Sequence, residues 1–394
     1  MGKSIFIILL VFITPNIFSQ SSTEVFILDI SKKGNNFELK NQRNISNNEG
    51  YDNQPSFLNN DILLFSSTRN KQTDIKTYND KTSEINWITN TKEGSEYSPI
   101  KIPNQNAISS IRLDTNGTQL LYRYDYKTGI PKILLKDLKV GYHCWYSEHT
   151  LASAVLEDNG LSLVISDLKN TTNKTLQKNI GRALHKIPDT KLLSYISKEN
   201  KQWEIKSIDP ITGKTSTIIN TIAQSEDICW LPDGTILMAK GNTIFKYNSK
   251  TDKNWSILHA FLDKEINTIT RISTNQKGDR IAIVSDISPE HIVQKQLDAY
   301  NARDIDAFLA TYSNTIKVFS YPNELNYEGK ETMKKSYASF FDSTPDLHCE
   351  IKNRIVIGNK VIDEEFLTIN GKNYAAAAIY EVKNGKIVKV TFIQ

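Results

Sequence analysis

An acidic triplet, Asp363-Glu364-Glu365, interrupts an otherwise apolar run from Val361 to Ile369. Successive side chains of a strand point to opposite faces, so Glu364 is set against Asp363 and Glu365. A carboxyl turned into an apolar cavity has its charged form penalised. Its pKa then rises toward the range useful for acid–base work. Tyr300, Tyr312, Tyr321 and Phe340 are the aromatic residues that could line such a cavity with Glu364 or Glu365. The simpler and preferred expectation is that all three acids lie on a solvent or dimer face. His291 and His348 are the histidines nearby, expected at the surface, and no Ser-His-Asp or Cys-His arrangement is visible. No catalytic residue is assigned, and no metal or cofactor is expected, because no Cys/His spacing resembles a zinc site.

The elements that would carry these residues begin near Ser288. Ser288-Pro289-Glu290 is a helix start: a capping hydroxyl, a proline in the first position and an acid in the first turn. Ile292, Val293, Leu297 and Tyr300 fall on one helical face. Asp304 can cap a second short helix holding Phe308, Leu309 and Tyr312. A strand over Ile316 to Ser320 and a helix over Gly329 to Phe341 follow. Four strands then run Leu347 to Ile357, Val361 to Ile369, Tyr374 to Val382 and Ile387 to Ile393. Asn370-Gly371 and Asn384-Gly385 mark hairpin turns. Helices followed by a curved antiparallel sheet make an α+β roll.

Before Ser288 the chain has a different grammar. Short apolar strands recur with turn residues between them, opening near Gln54, Tyr97, Tyr142, Leu184, Ile228 and Ile269. That spacing, about 42–45 residues, is the repeat of a four-stranded propeller blade. Six starts imply six blades. The last unit supplies two strands, and two runs near the N-terminus, Glu24 to Ile30 and Phe37 to Arg43, are expected to complete it and close the ring. His143 and His185 fall in innermost strands and could face the central channel. Trp87, Trp145, Trp203, Trp230 and Trp255 are expected to pack blades.

Composition limits the partners. The 394 residues carry a net charge of +4 and are 39% hydrophobic. Charge of both signs is dispersed, so no basic stripe for nucleic acid exists. Lys3, the apolar run Ile5 to Ile13 and Ser19-Gln20 read as a secretory signal over residues 1–20. No later segment is apolar enough to cross a membrane. The protein is therefore expected to be periplasmic or secreted. Export permits a disulfide, but Cys144, Cys229 and Cys349 are widely separated, and core packing is the expected role of Cys144 and Cys229.

Two resemblances refine this reading. Asp52-Asn53-Gln54-Pro55-Ser56-Phe57, Leu64-Phe65-Ser66-Ser67-Thr68-Arg69 and Trp230-Leu231-Pro232-Asp233-Gly234-Thr235 resemble the repeats of TolB-like, WD-type propellers. Asn59-Asn60-Asp61 departs from the pattern, standing where a Pro-Asp-Gly turn would fall. The segment Asp298 to Phe308, with Glu328-Gly329-Lys330-Glu331 and Gly385-Lys386-Ile387-Val388, resembles the SnoaL-like superfamily, relatives of ketosteroid isomerases and nuclear transport factor two. That resemblance implies a cone-shaped cavity. Aligned on Asn301 to Asp306, the isomerase base falls near Ser320, its helical tyrosine near Gln296 and its later acid near Ala378. None has the required chemistry, which argues against ketosteroid-type isomerisation.

The expected protein is mainly β: a signal segment (1–20), a TolB-like six-bladed propeller (21–287) and a SnoaL-like α+β cone-shaped roll (288–394). The leading function is an exported binding or scaffold protein. Its propeller would meet a partner, such as an envelope protein. Its roll would bind a small apolar or amphipathic ligand or form a homodimer. The alternative is a lyase- or isomerase-type enzyme using Glu364 or Glu365 with a tyrosine.

Overall fold

A computed structural model describes residues 22–34, 36–48, 50–70, 72–262 and 265–393. The expected secretory segment, 1–20, lies outside the described residues.

Six four-stranded antiparallel sheets follow one another from Thr23 to Asp286. Five are built from consecutive strands, beginning at Asp52, Gly94, Val140, Ile180 and Ile228. The sixth joins the ends of the array. Thr268–Thr274 and Arg280–Asp286 pair with each other, and Thr23–Lys33 and Asn36–Asn44 add outside them. Phe26 lies opposite Ile283 in that sheet, and both are wholly buried in one apolar cluster. The ring thus closes with the two N-terminal strands in the last blade, and a closed ring removes the exposed edges of an open array.

Two pairs of neighbouring blades are tied by the same tryptophan–serine bond. Trp145 ends the innermost strand of its blade and donates its Nε1 hydrogen to Ser109 Oγ of the preceding blade at 2.8 Å. Trp230 makes the equivalent bond to Ser194 Oγ at 2.9 Å. Trp87 is covered by the Arg69 guanidinium at 4.0 Å. Where the Pro-Asp-Gly turn is missing, Asn59 replaces it: Oδ1 accepts from the amides of Asp61 and Ile62 at 2.9 and 2.8 Å. An asparagine can hold such a turn through its own side chain.

The chain leaves the last blade at Asp286 and enters helix α1, Pro289–Ala302. Ser288 caps it by accepting from the Glu290 amide. Ile287 packs against the core of the C-terminal roll, which anchors the junction. Helix α2, Ile305–Ala310, is capped by Asp304, and α3 spans Lys330–Ser343. Six strands complete the roll in the order Glu324–Glu328, Tyr312–Ser320, Lys386–Ile393, Lys372–Lys383, Lys360–Ile369, His348–Ile357. Tyr312–Ser320 runs parallel to Lys386–Ile393; the other pairings are antiparallel.

Two details differ from the sequence reading. Tyr312 opens a strand rather than closing α2, because α2 stops at Ala310. Glu324–Glu328 forms an edge strand that was not expected. Its residues are mostly exposed and give no apolar alternation. No described helix is long and apolar enough to cross a membrane. Cys144, Cys229 and Cys349 are unpaired, the last two buried.

Candidate functional site

The roll encloses a cavity of about 290 Å³ between the helices and the concave face of the sheet. Helix α1 contributes Gln296, Leu297 and Tyr300, the first two lying four and three residues before Tyr300 and so on its side of the helix. Helix α3 contributes Ser336, Tyr337 and Phe340. The strands supply Tyr312, Cys349, Glu365, Leu367, Ala376, Tyr380 and Phe392. Tyr300, Tyr312, Tyr337, Phe340, Tyr380 and Phe392 give the wall its aromatic character. Phe308, which is not in the wall, packs against Tyr337 at 4.6 Å and Tyr312 at 5.0 Å between centroids in tilted contacts.

Glu365 is the one carboxylate in this wall among the described residues. Alternation along Lys360–Ile369 decides its position: Asp363 and Glu365 are buried on the inner face, and Glu364 is exposed on the outer one. The expectation that all three acids lie outside is therefore corrected. The inner face is occupied by acids with partners. Asp363 forms a bidentate pair with Arg354, Nε–Oδ1 and Nη2–Oδ2 both 2.7 Å. Arg354 is fixed further by Gln294 Oε1 at 2.7 Å. Glu365 has a weaker set: Tyr380 donates its hydroxyl hydrogen to Oε1 at 2.8 Å. Burial, helped by the Asp363 charge, pushes the Glu365 carboxyl up to about 7 against that hydrogen bond. Burial raises Tyr312, Tyr337 and Tyr380 well above the ordinary phenol range, so all three stay protonated donors.

Space in front of Glu365 exists because its cross-strand neighbour is small. Ala376 is directly opposite it, in the run Ala375 to Ala378. A larger residue there would project into the cavity.

Of the residues named from sequence, Tyr300, Tyr312, Phe340 and Glu365 line the cavity together. Tyr321 and Glu364 do not, and both are corrections. Tyr321 follows the end of its strand and is 64% exposed. Glu364 points outward and bonds Asn353. Gln296, Tyr337, Ala376 and Tyr380 were missed as lining residues. Tyr337 was legible as the i+4 neighbour of buried Met333, and Tyr380 by alternation from Ala376 and Ala378. The positions aligned with isomerase groups hold Ser320, Gln296 and Ala378, and of these Gln296 lines the cavity. Among the described residues, no three His, Cys, Asp or Glu side chains gather as a metal site.

These features define an aromatic, half-enclosed pocket in an α+β roll carried by a propeller. Residues 293–390 match the SnoaL-like domain family. The propeller matches a putative TolB from Agrobacterium tumefaciens at 12% identity, covering 67% of this chain and 98% of that one, with a TM-score of 0.53. TolB from Acinetobacter baumannii is 14% identical, covers 68% and 64% of the two chains, and has a TM-score of 0.46. A cystatin-fold protein from Novosphingobium aromaticivorans is 25% identical over 27% of this chain and 98% of its own, with a TM-score of 0.26. No curated protein matches. The chain joins a TolB-like propeller to a SnoaL-like domain.

Proposed function

We propose that this is an exported envelope protein, periplasmic or secreted, whose C-terminal cavity binds a small, largely apolar ligand bearing one polar group. The observation that carries this reading is a single buried carboxyl, Glu365, set in an aromatic wall beside Tyr380. Binding sites of this kind are mostly apolar, with few polar groups to fix orientation. Below neutral pH Glu365 is mostly protonated and can donate through Oε2 while Oε1 is engaged by Tyr380. The ligand's polar group is therefore a carbonyl or hydroxyl rather than an anion. The propeller supplies the rigid scaffold and the surface for an envelope protein.

The test uses 2-naphthol, a flat apolar probe with one hydroxyl, titrated into the mature protein at pH 6. Binding to the native chain should be saturable. Ala376→Phe, which fills the space opposite Glu365, should weaken it at least tenfold. Equal binding by both proteins would place the probe elsewhere and overturn the assignment.

A second reading is favoured by the Glu365 carboxyl alone. A carboxyl poised near 7 can exchange protons at physiological pH, as a lyase or isomerase requires. On this reading Glu365→Gln abolishes turnover of a substrate that still binds. Unchanged turnover would remove Glu365 from any mechanism.

The outer sheet face bears on assembly. Ile355, Ile357, Phe366 and Ile393 are exposed there, on the side opposite the cavity by strand register. A homodimer through this face would cover them.

A further inference from the structure

We propose that the central channel of the propeller is a second binding site and that it takes a small organic carboxylate. The innermost strands of all six blades wall a cavity of about 620 Å³, within the size of small-molecule sites. Lys101, Arg182, Lys186 and Arg271 line it, against one carboxylate, Asp227. The channel therefore carries an excess of positive charge, with Arg182 and Arg271 half-buried and Lys101 and Lys186 exposed, and a cleft lined by one sign of charge focuses the field.

Two arginines sit together in this lining. Arg182 Nη2 and Arg271 Nη1 lie 3.4 and 3.2 Å from the same oxygen, Asp227 Oδ2. Both also donate to the Thr270 carbonyl, at 2.8 and 2.9 Å. These bonds hold the guanidiniums side by side, yet one carboxylate cannot neutralise two of them. Glu226 is 3.8 Å from Arg182 but is itself held by Lys198. Arg182 Nε is buried with no hydrogen-bond partner. An unmet buried donor is costly, and an incoming acceptor would relieve it. Arg271 lies over the Tyr142 ring, 5.9 Å from its centre, which keeps the guanidinium plane in place.

The histidines add no charge. Burial lowers His143 to about 3 and also lowers His185, so both are neutral at pH 7. The attraction is thus a property of the arginines and lysines and does not need acidic conditions. A planar guanidinium offers paired N–H donors that match two oxygens of a carboxylate or of a phosphate, and the phosphate arm of the test below separates the two. Lys186 lies four residues beyond Arg182 on the strand Ile180–Lys186, roughly 13 Å along the channel. It extends the positive lining past the arginine pair.

Succinate is the probe. Full-length mature protein is heated with sodium succinate, with sodium phosphate and with sodium chloride at equal ionic strength. Succinate should raise the melting temperature in a saturable way and the other two should not. Asp227→Asn removes the charge that competes for both guanidiniums, which stay held by the Thr270 carbonyl, and should tighten succinate binding severalfold. Arg182→Gln should weaken it at least tenfold. Should Arg182→Gln fail to fold, Lys186→Gln decides, with an expected loss of severalfold. An equal rise with chloride would overturn the site, and an equal rise with phosphate would overturn the carboxylate class. Succinate binding unchanged in Arg182→Gln would overturn the role of the arginine pair.

Discussion

The chemistry of the C-terminal cavity rests on one choice of register. Glu364 and Glu365 are adjacent and chemically alike, yet one is solvated and the other buried beneath an aromatic wall. The sequence made the alternation legible but not which parity faced inward, because both faces of the strand carry an acid. Packing decides it: Val361, wholly buried in the roll's core, shares a face with Asp363 and Glu365. A consequence follows for stability. The ordinary Glu value is 4.5, and the folded value is about 7. The folded state therefore binds the proton more tightly. This contribution is fully present below the unfolded value and is lost as pH rises from about 4.5 to about 7. Glu365→Gln mimics the protonated form and should flatten that decline. The measurement is denaturant midpoint against pH for both proteins, with the difference growing in favour of the variant by roughly 3 kcal/mol at most. Parallel profiles would mean that Glu365 takes up its proton equally readily in the folded and unfolded chain.

At the scale of elements, capping and hairpin signals were the dependable ones. Ser288 and Asp304 cap the first two helices, as their side-chain bonds confirm. The hairpin turns at Asn370-Gly371 and Asn384-Gly385 have both residues at positive φ, the geometry such pairs adopt readily. The edge strand Glu324–Glu328 escaped because it buries little, so no periodic pattern selects it. Asn301 gave no signal as a functional residue, but it links α1 to the sheet. Its Nδ2 donates to the Cys349 carbonyl at 2.9 Å and its Oδ1 accepts from the Cys349 amide at 2.7 Å. Cys349 lies in the cavity wall. Asn301→Ala should therefore cost about 1–3 kcal/mol and loosen that wall. Chemical denaturation reads the first effect; a loss below 0.5 kcal/mol would show that the bonds are solvated substitutes for water.

At the scale of the molecule, the repeat spacing made the blade number readable, and the two spare N-terminal strands made closure readable. Cavity shape was less accessible, since it depends on an absence: the small Ala376 opposite Glu365. A run of alanines in a strand reads as weak β propensity rather than as space. Ring closure makes the N-terminal strands part of the core. Phe26→Ala should cost about 3–5 kcal/mol, as for a buried core aromatic. A cost under 1 kcal/mol in the same denaturation experiment would mean that the first strand is peripheral.

The proposed function stands or falls on the space before Glu365 being a ligand site. A crystal structure of the mature protein with 2-naphthol tests it most directly. The ring system is expected between Tyr337, Phe340 and Ala376, with its hydroxyl within hydrogen-bond reach of Glu365 Oε2. A cavity filled by Tyr337 and Phe340 themselves, with the probe bound elsewhere or nowhere, would contradict it.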